Sequence, residues 1–265
     1  MAELKLTQIW IYPIKSLGGI SLSAAAVMEK GLEYDRRLML VDETGTAMTQ
    51  RVFPKMALFK SSIDKGLLTI THHQHSMKLD LKKPPLSNPT TVNIWDDTVS
   101  AFDLEGSYNQ WFSELLESPC RLVYFPEENS RPVDPRYEVN HEQVSLADAY
   151  PFLIIGQSTL DDLNSRLTES VPMNRFRPNF VFAGGEPFEE DSWRNFSIGS
   201  TRFVGVKMCA RCQLPTVNQD TGERGHEPLK TLSTYRKREN KVYFGQNLVA
   251  LDYNPVRVGD TITIQ

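Results

Sequence analysis

Apolar residues fall into two periods along this chain. Through the first hundred residues they alternate or come in short blocks, interrupted by small turn-forming residues. Residues 4–12 place Leu4, Leu6 and Trp10 on one parity and end at Pro13, which predicts a strand. Residues 38–41 and 47–50 flank Asp42-Glu43-Thr44-Gly45, and residues 58–63 and 67–71 flank Asp64-Lys65-Gly66; each pair reads as a hairpin. Three later segments switch to the helical period. Tyr108, Trp111, Phe112, Leu115 and Leu116 form one stripe, and Leu160, Leu163 and Leu167 form another. Ser158 is the predicted N-cap of the second, with Asp161 in the capping-box position. Leu229, Leu232 and Tyr235 follow Pro228, a residue suited to a first helical turn. Residues 256–264 read as two short strands around Gly259-Asp260. The expected fold class is mainly β (α+β), barrel-like or sandwich-like rather than doubly wound, with a few peripheral helices.

The proline-rich, charged stretch from Pro126 to Pro135 disfavours regular pairing and predicts a boundary, giving units 1–125 and 126–265. The 265 residues suit two modest domains. A formal net charge of −4 gives no electrostatic footprint for nucleic acid. No apolar run approaches the ~20 residues that span a bilayer, so no membrane partner is expected. The residues after Met1 show no basic-then-apolar export leader. Three cysteines, Cys120, Cys209 and Cys212, do not make a disulfide framework, and a reducing cytoplasm is the expected location.

Chemistry concentrates in Cys209-Ala210-Arg211-Cys212, which precedes the Gly222 turn and the helix expected after Pro228. A thiol beside a guanidinium is placed to ligate a soft metal or to react, because nearby positive charge raises the thiolate fraction. A zinc half-site is an alternative, but zinc wants four ligands. Of His72, His73, His75, His141 and His226, only His226 follows the pair at a useful distance. A thioredoxin-like pair is another, but it should open a helix, and Pro215 follows closely. His72, His73 and His75 read as a polar strand end, with 73 and 75 on one face and 72 on the other.

Cations and small polar residues recur in loops next to predicted strands. Lys15 and Ser16 lie in one such loop, Arg36 and Arg37 in a second and Arg51 in a third. Asn174-Arg175-Phe176-Arg177-Pro178-Asn179 forms another. Arginine's planar fork matches phosphate, and consecutive backbone N–H groups form anion-binding nests. Together with a candidate metal thiolate, these loops predict an anionic cofactor with a soft-metal centre.

Five motifs in fixed order carry a family resemblance. They are Tyr12-Pro13-Ile14-Lys15-Ser16, Tyr34-Asp35-Arg36-Arg37, the 174–179 segment, Glu190-Asp191-Ser192-Trp193 and the 209–212 segment. In this order they resemble the molybdenum cofactor sulfurase C-terminal (MOSC) proteins that carry an N-terminal β-barrel domain, over nearly the whole chain. The resemblance is to the branch with the mitochondrial amidoxime-reducing components and their bacterial counterparts. It implies an N-terminal β-barrel domain over 1–125 and a MOSC domain over 126–265. It also implies a molybdenum cofactor (Mo-molybdopterin) whose metal takes a third sulfur from Cys212.

By the same resemblance Lys15, Ser16, Arg36, Arg177 and Asn179 would hold the cofactor. Tyr150, Gln246 and Asn247 would add to them, and Arg37 and Arg51 are alternates for phosphate contact. Relatives carry small hydroxyl residues where Ala149 and Tyr150 stand, and Asp148 is the candidate general acid. The implied activity is reduction of small N-hydroxylated substrates of the amidoxime or hydroxylamine type. Three cysteines cannot supply a [2Fe–2S] cluster, so electrons are expected from a separate ferredoxin or flavoprotein. The alternative is a non-catalytic cofactor carrier or sulfur-handling module, as in cofactor sulfurases. Pyridoxal phosphate attaches to the resemblance only through those sulfurases, whose desulfurase portion this sequence does not show.

Overall fold

Burial along Lys5–Ile11 puts Leu6, Ile9 and Ile11 inside; the single parity expected for Leu4, Leu6 and Trp10 breaks at a register shift between Leu6 and Gln8, after which the odd positions face the core. The computed structural model describes residues 3–265. That first strand does not stay with its sequence neighbours. It pairs with Ile20–Leu22 on one side and Phe180–Ala183 on the other, in a nine-stranded sheet that continues through Phe152–Gly156, Lys241–Ala250, Thr201–Ala210, Asn195–Ile198 and Ile262–Ile264, with Lys237–Arg238 added beside Lys241–Ala250. All of its pairings are antiparallel except Phe152–Gly156 with Phe180–Ala183. Phe152 and Ile154 pack into one apolar cluster while Leu153 and Ile155 pack into another. A strand covered on both faces reads as a continuous apolar run rather than an alternation.

The N-terminal half adds a four-stranded sheet, Leu86–Ile94, Asp97–Leu104, Arg121–Tyr124 and Leu38–Val41, and a three-stranded meander, Lys60–Asp64, Leu67–His72 and His75–Asp80. The fold is mainly β with three short helices, Tyr108–Leu116, Gln157–Ser165 and Leu229–Tyr235.

Four local expectations change. The hairpin over 38–50 keeps its turn, but its second arm makes a single bridge, Val41 to Ala47, in place of a strand. The second helix is capped by Gly156, with no side-chain cap, and Ser158 lies inside it with its hydroxyl buried and unpaired. The last two strands do not pair with each other: Val256–Arg257 joins Ala24–Ala25, and Ile262–Ile264 joins the large sheet. His72 and His75 face each other across a turn at His73, so they share a face. His72 is stacked on Phe59 at 4.4 Å.

The motif Glu190-Asp191-Ser192-Trp193 forms a 3-10 turn and serves packing. Glu190 is fully buried and accepts hydrogen bonds from the Gly156 amide (3.1 Å) and the Thr159 hydroxyl (2.9 Å). Trp193 packs on Phe182 and Phe196. The turn thereby fixes the strand-to-helix junction behind Leu153.

Candidate functional site

Leu153, Asn247 and Lys207 form a row across three adjacent strands of the large sheet. That row floors a cavity of about 270 Å³. Its walls come from loops distant in sequence: Lys15 and Ser16, Arg36, Arg51, residues 147–150, Phe176 to Asn179, and Cys209 to Pro215. The cavity gathers six cationic side chains, Lys15, Arg36, Arg51, Arg177, Lys207 and Arg211, against one carboxylate, Asp148. In a chain of net charge −4, that local excess marks an anion site.

Three of the lining residues hold left-handed backbone without being glycine: Ser16 (φ 67°), Arg36 (φ 50°) and Arg177 (φ 54°). Each such residue costs on the order of 1 kcal/mol and persists where surrounding structure over-determines it. The determinant here is a buried hub on Asp35. Its carboxylate accepts from the Tyr12 amide (2.7 Å), the Arg36 guanidinium (2.5 Å) and the Asn179 amide (3.0 Å). Arg36 and Arg177 lie over the ring of Tyr12 at 4.4 and 4.1 Å. Arg177 is buried and donates to the Leu17 carbonyl at 2.7 Å. Its second terminal nitrogen has no protein partner. Burial pulls its pKa down to about 10. A buried cation with an unused donor, opening on a cavity, calls for an anionic partner.

Lys15 is also buried and donates to the Leu146 carbonyl (2.8 Å) and to Asp148 (2.6 Å). Desolvation lowers its pKa to about 8, with Asp148 opposing. Enclosure works to raise the pKa of Asp148, but Lys15 and Arg51 outweigh it and hold the carboxyl well below the usual range. Paired with Lys15 and Arg51, Asp148 is held on the ionised side and organises both cations, an arrangement that speaks against its expected role as a general acid.

Cys212 lies at the cavity wall, and the guanidinium beside it is not the one adjacent in sequence. Arg51 Nη1 is 3.6 Å from Cys212 Sγ. Arg211 turns away, donating to Cys209 Sγ (3.0 Å) and to the Phe176 carbonyl (2.5 Å). All three cysteines are free. The pair ends a strand and leads into the 3-10 turn Leu214–Thr216, not into a thioredoxin-type helix. Among the described residues, no three His, Cys, Asp or Glu side chains converge to hold a metal, so the zinc alternative has no ligand set. His226 lies in a separate pocket with Arg175 and Arg224.

Ten of the twelve site residues expected from sequence line the one cavity: Lys15, Ser16, Arg36, Arg51, Asp148, Tyr150, Arg177, Asn179, Cys212 and Asn247. Gln246 does not. Neighbouring strand residues face opposite ways, and the Gln246 amide reaches the Trp193 carbonyl at 3.5 Å, behind the sheet. Arg37 is separated from Arg36 by the turn itself, since Arg36 holds left-handed backbone just before the strand Leu38–Val41. Arg37 is buried away from the cavity and pairs with Glu127.

Asn179 is present, but its side chain is fully used. It accepts from the Leu153 amide and Arg36, and donates to the Trp10 carbonyl and Asp35. Its four hydrogen-bonding positions are filled by the fold, so it organises the site without a free group to offer.

Three contributors escaped the sequence reading. Lys207 lies over the rings of Tyr137 and Tyr150 at 3.9 and 5.9 Å. Arg131, in the expected linker, donates to the carbonyls of Ser145, Ala147 and Asp148 and clamps Asp97 with two nitrogens. It thereby ties the 145–148 loop to the tip of the long hairpin. Trp95, at that tip, donates to Asp148 (3.3 Å) and covers Arg51 at 3.7 Å. Only Lys207 carried a local signal, sharing strand parity with Cys209.

The residues fit an anionic, soft-metal cofactor: a thiol ligand, an excess of cations and a buried arginine with an unpaired donor. The comparisons agree. The chain matches the MOSC N-terminal beta barrel domain over residues 3–119 and the MOSC domain over residues 141–263. It is 35% identical to mitochondrial amidoxime-reducing component 1 of Homo sapiens, over 97% of this chain and 82% of that protein. Mitochondrial amidoxime reducing component 2 of Bos taurus is 32% identical, over 96% and 80%. The molybdenum cofactor sulfurase of Arabidopsis thaliana is 31% identical over 91% of this chain, which spans 32% of that longer protein. The chain belongs to the family of MOSC-domain proteins that has the mitochondrial amidoxime-reducing components among its members.

Proposed function

We propose that this protein is a molybdenum-dependent oxidoreductase that removes oxygen from N-hydroxylated compounds. The observation that carries the reading is the single cavity where Cys212 meets six cations, one of them the buried, half-satisfied Arg177. When bound, the molybdenum cofactor would supply the two-electron redox chemistry and an open metal face. The chain's own part is to hold and orient it. Cys212 would be the thiolate ligand, a soft donor suited to a sulfur-rich metal. Arg177, Lys15 and Arg36 would carry the anionic groups, with Ser16, Tyr150 and Asn247 lining the remaining wall. Asp148 and Asn179 keep those cations in place. No proton donor is assigned, because the one carboxylate on the wall is held ionised.

Electrons come from a separate donor protein of the ferredoxin or flavoprotein kind, since three free cysteines cannot bind a four-cysteine cluster. No helix among the described residues is long and apolar enough to cross a membrane. Free thiols suit a reducing cytoplasm, the location in this proposal. In this proposal the sequence units are 1–125 and 126–265, with Lys5–Ile11 and Ile20–Leu22 of the first unit joining the large sheet of the second.

A second reading has one observation of its own: nearly the whole chain also aligns with about a third of the length of molybdenum cofactor sulfurases, 34% and 32% of two of them. A carrier would use the same cavity without turnover. One experiment separates the two. Protein made in a host that synthesises the cofactor is assayed for molybdenum and pterin, then given benzamidoxime with reduced methyl viologen. Benzamidine formation, lost in Cys212→Ser and largely kept in Cys209→Ser, is the expected result. Full cofactor loading without turnover would transfer the assignment to the carrier, and equal loss in both variants would point to a paired thiol site.

A further inference from the structure

We propose that Arg51 acts on the Cys212 sulfur rather than on a phosphate, and that Trp95 is the positioning residue that holds it there. The electronic half of this rests on the reading of Cys212 as the metal ligand; the contact itself does not. Three groups form a layer: the Trp95 ring, the Arg51 guanidinium 3.7 Å from it, and the Cys212 sulfur 3.6 Å from Arg51 Nη1. Asp148 closes the layer from the side, 3.7 Å from Arg51 and 3.3 Å from the Trp95 indole nitrogen. With its planar face covered and one terminal nitrogen directed at sulfur, Arg51 is committed. Lys15, Arg36 and Arg177 stand elsewhere on the wall for the anion.

The backbone beneath Trp95 supports the same assignment. Ile94 and Asp97 are paired, so Trp95 and Asp96 make a two-residue hairpin turn. Trp95 holds φ 55° at the first turn position, where left-handed geometry favours glycine. A large aromatic residue, 59% exposed, contributes little core burial to offset that strain. What it makes is the stack on Arg51 and the bond to Asp148. Arg131 keeps the tip in register by clamping Asp97 and the 145–148 loop together.

Hydrogen bonds to a metal-bound sulfur draw electron density from it and raise the metal's reduction potential. Arg51 is so placed. In cofactor-free protein a guanidinium 3.6 Å from the sulfur alters its reactivity toward an alkylating agent, and that reactivity reads the contact.

The test has two arms. In cofactor-free protein, iodoacetamide alkylation of Cys212 is followed by mass spectrometry at one fixed pH, with Cys209 as internal reference. Arg51→Gln and Trp95→Gly should slow Cys212 about threefold or more and leave Cys209 within error. Trp95→Phe, which keeps a ring over Arg51, should recover most of the rate. Trp95→Gly should fold normally, because glycine relieves the turn. A Cys212 rate in Arg51→Gln at or above wild type overturns the Arg51 contact, and an unaltered rate in Trp95→Gly overturns the role of Trp95. In cofactor-loaded protein, Arg51→Gln should make reduction about tenfold less favourable, 59 mV for one electron. An unshifted potential at full metal content refutes the electronic role. If wild-type protein takes up no molybdenum, the metal-ligand reading fails alone, and the alkylation arm still decides the contact.

Discussion

Glu190 lies fully buried with no cation against it, and its two oxygens are held by the Gly156 amide and the Thr159 hydroxyl. Burial raises its pKa from the ordinary 4.5 to about 7, partly opposed by those hydrogen bonds. A carboxyl with a raised folded-state pKa binds its proton more tightly when folded. Its contribution to stability is therefore complete below pH 4.5 and is lost as pH rises through about 7. The gap between the two pKa values corresponds to roughly 3 kcal/mol, at ~1.4 kcal/mol per pKa unit. That is a large share of the ~5–15 kcal/mol typical of a folded domain. Glu190→Gln removes the titration while keeping an acceptor for the Gly156 amide. Urea unfolding at pH 5 and pH 8 should show wild type losing about 3 kcal/mol more than the variant over that interval. Because other groups titrate in both proteins, the difference between the two losses is the quantity to read. Parallel pH dependence in the two proteins would refute the reasoning and place Glu190 in contact with water or a cation. Cofactor occupancy enters nowhere in this measurement, so it examines the scaffold behind Leu153 alone.

Further tests address the site and its supports. Lys15, lowered to about 8, sheds its proton earlier when folded than when unfolded, so the strain of burying its charge is relieved between pH 8 and 10.5 and stability rises across that window. An anionic cofactor should hold that proton, so its retention should weaken about tenfold between pH 7 and 9; retention that is flat with pH, measured by pterin release, would remove Lys15 from the contact set. Arg131→Met strands three loop carbonyls and should cost about 2–3 kcal/mol in chemical denaturation, with lower molybdenum content, because charged hydrogen bonds of this kind are lost together. Gln246→Ala should cost about 1 kcal/mol and leave metal content unchanged, whereas Asn247→Ala should lower metal content at unchanged stability; the reverse pattern would put Gln246 back on the cavity wall. Gly205→Ala would set a Cβ 2.1 Å from the Trp193 carbonyl, a backbone clash expected to cost about 3 kcal/mol in thermal or chemical unfolding.

Local chemistry made much of this protein readable from its sequence. The stripe from Tyr108 to Leu116 forms a helix because its apolar spacing lets one face bury, and Phe112 and Leu116 are the buried residues. Asp64-Lys65-Gly66 reverses the chain because Lys65 and Gly66 take left-handed backbone. Motif order along the chain identified the family, and ten expected residues reach one cavity. What the sequence left open depends on which segments become neighbours. Position 246 differs from 247 only by which side of a strand it faces, and the register with Phe152–Gly156 and Thr201–Ala210 sets that side. Arg211 is next to Cys212 in the chain, yet Arg51, 161 positions away, reaches its sulfur. Asp148 reads as a free acid until Lys15 and Arg51 arrive from loops more than 90 residues distant and fix its charge. Periodicity and turn chemistry act over a few residues and are written in the sequence. Charge pairing and the side of a sheet arise from contacts between distant segments, and only the folded chain brings those together.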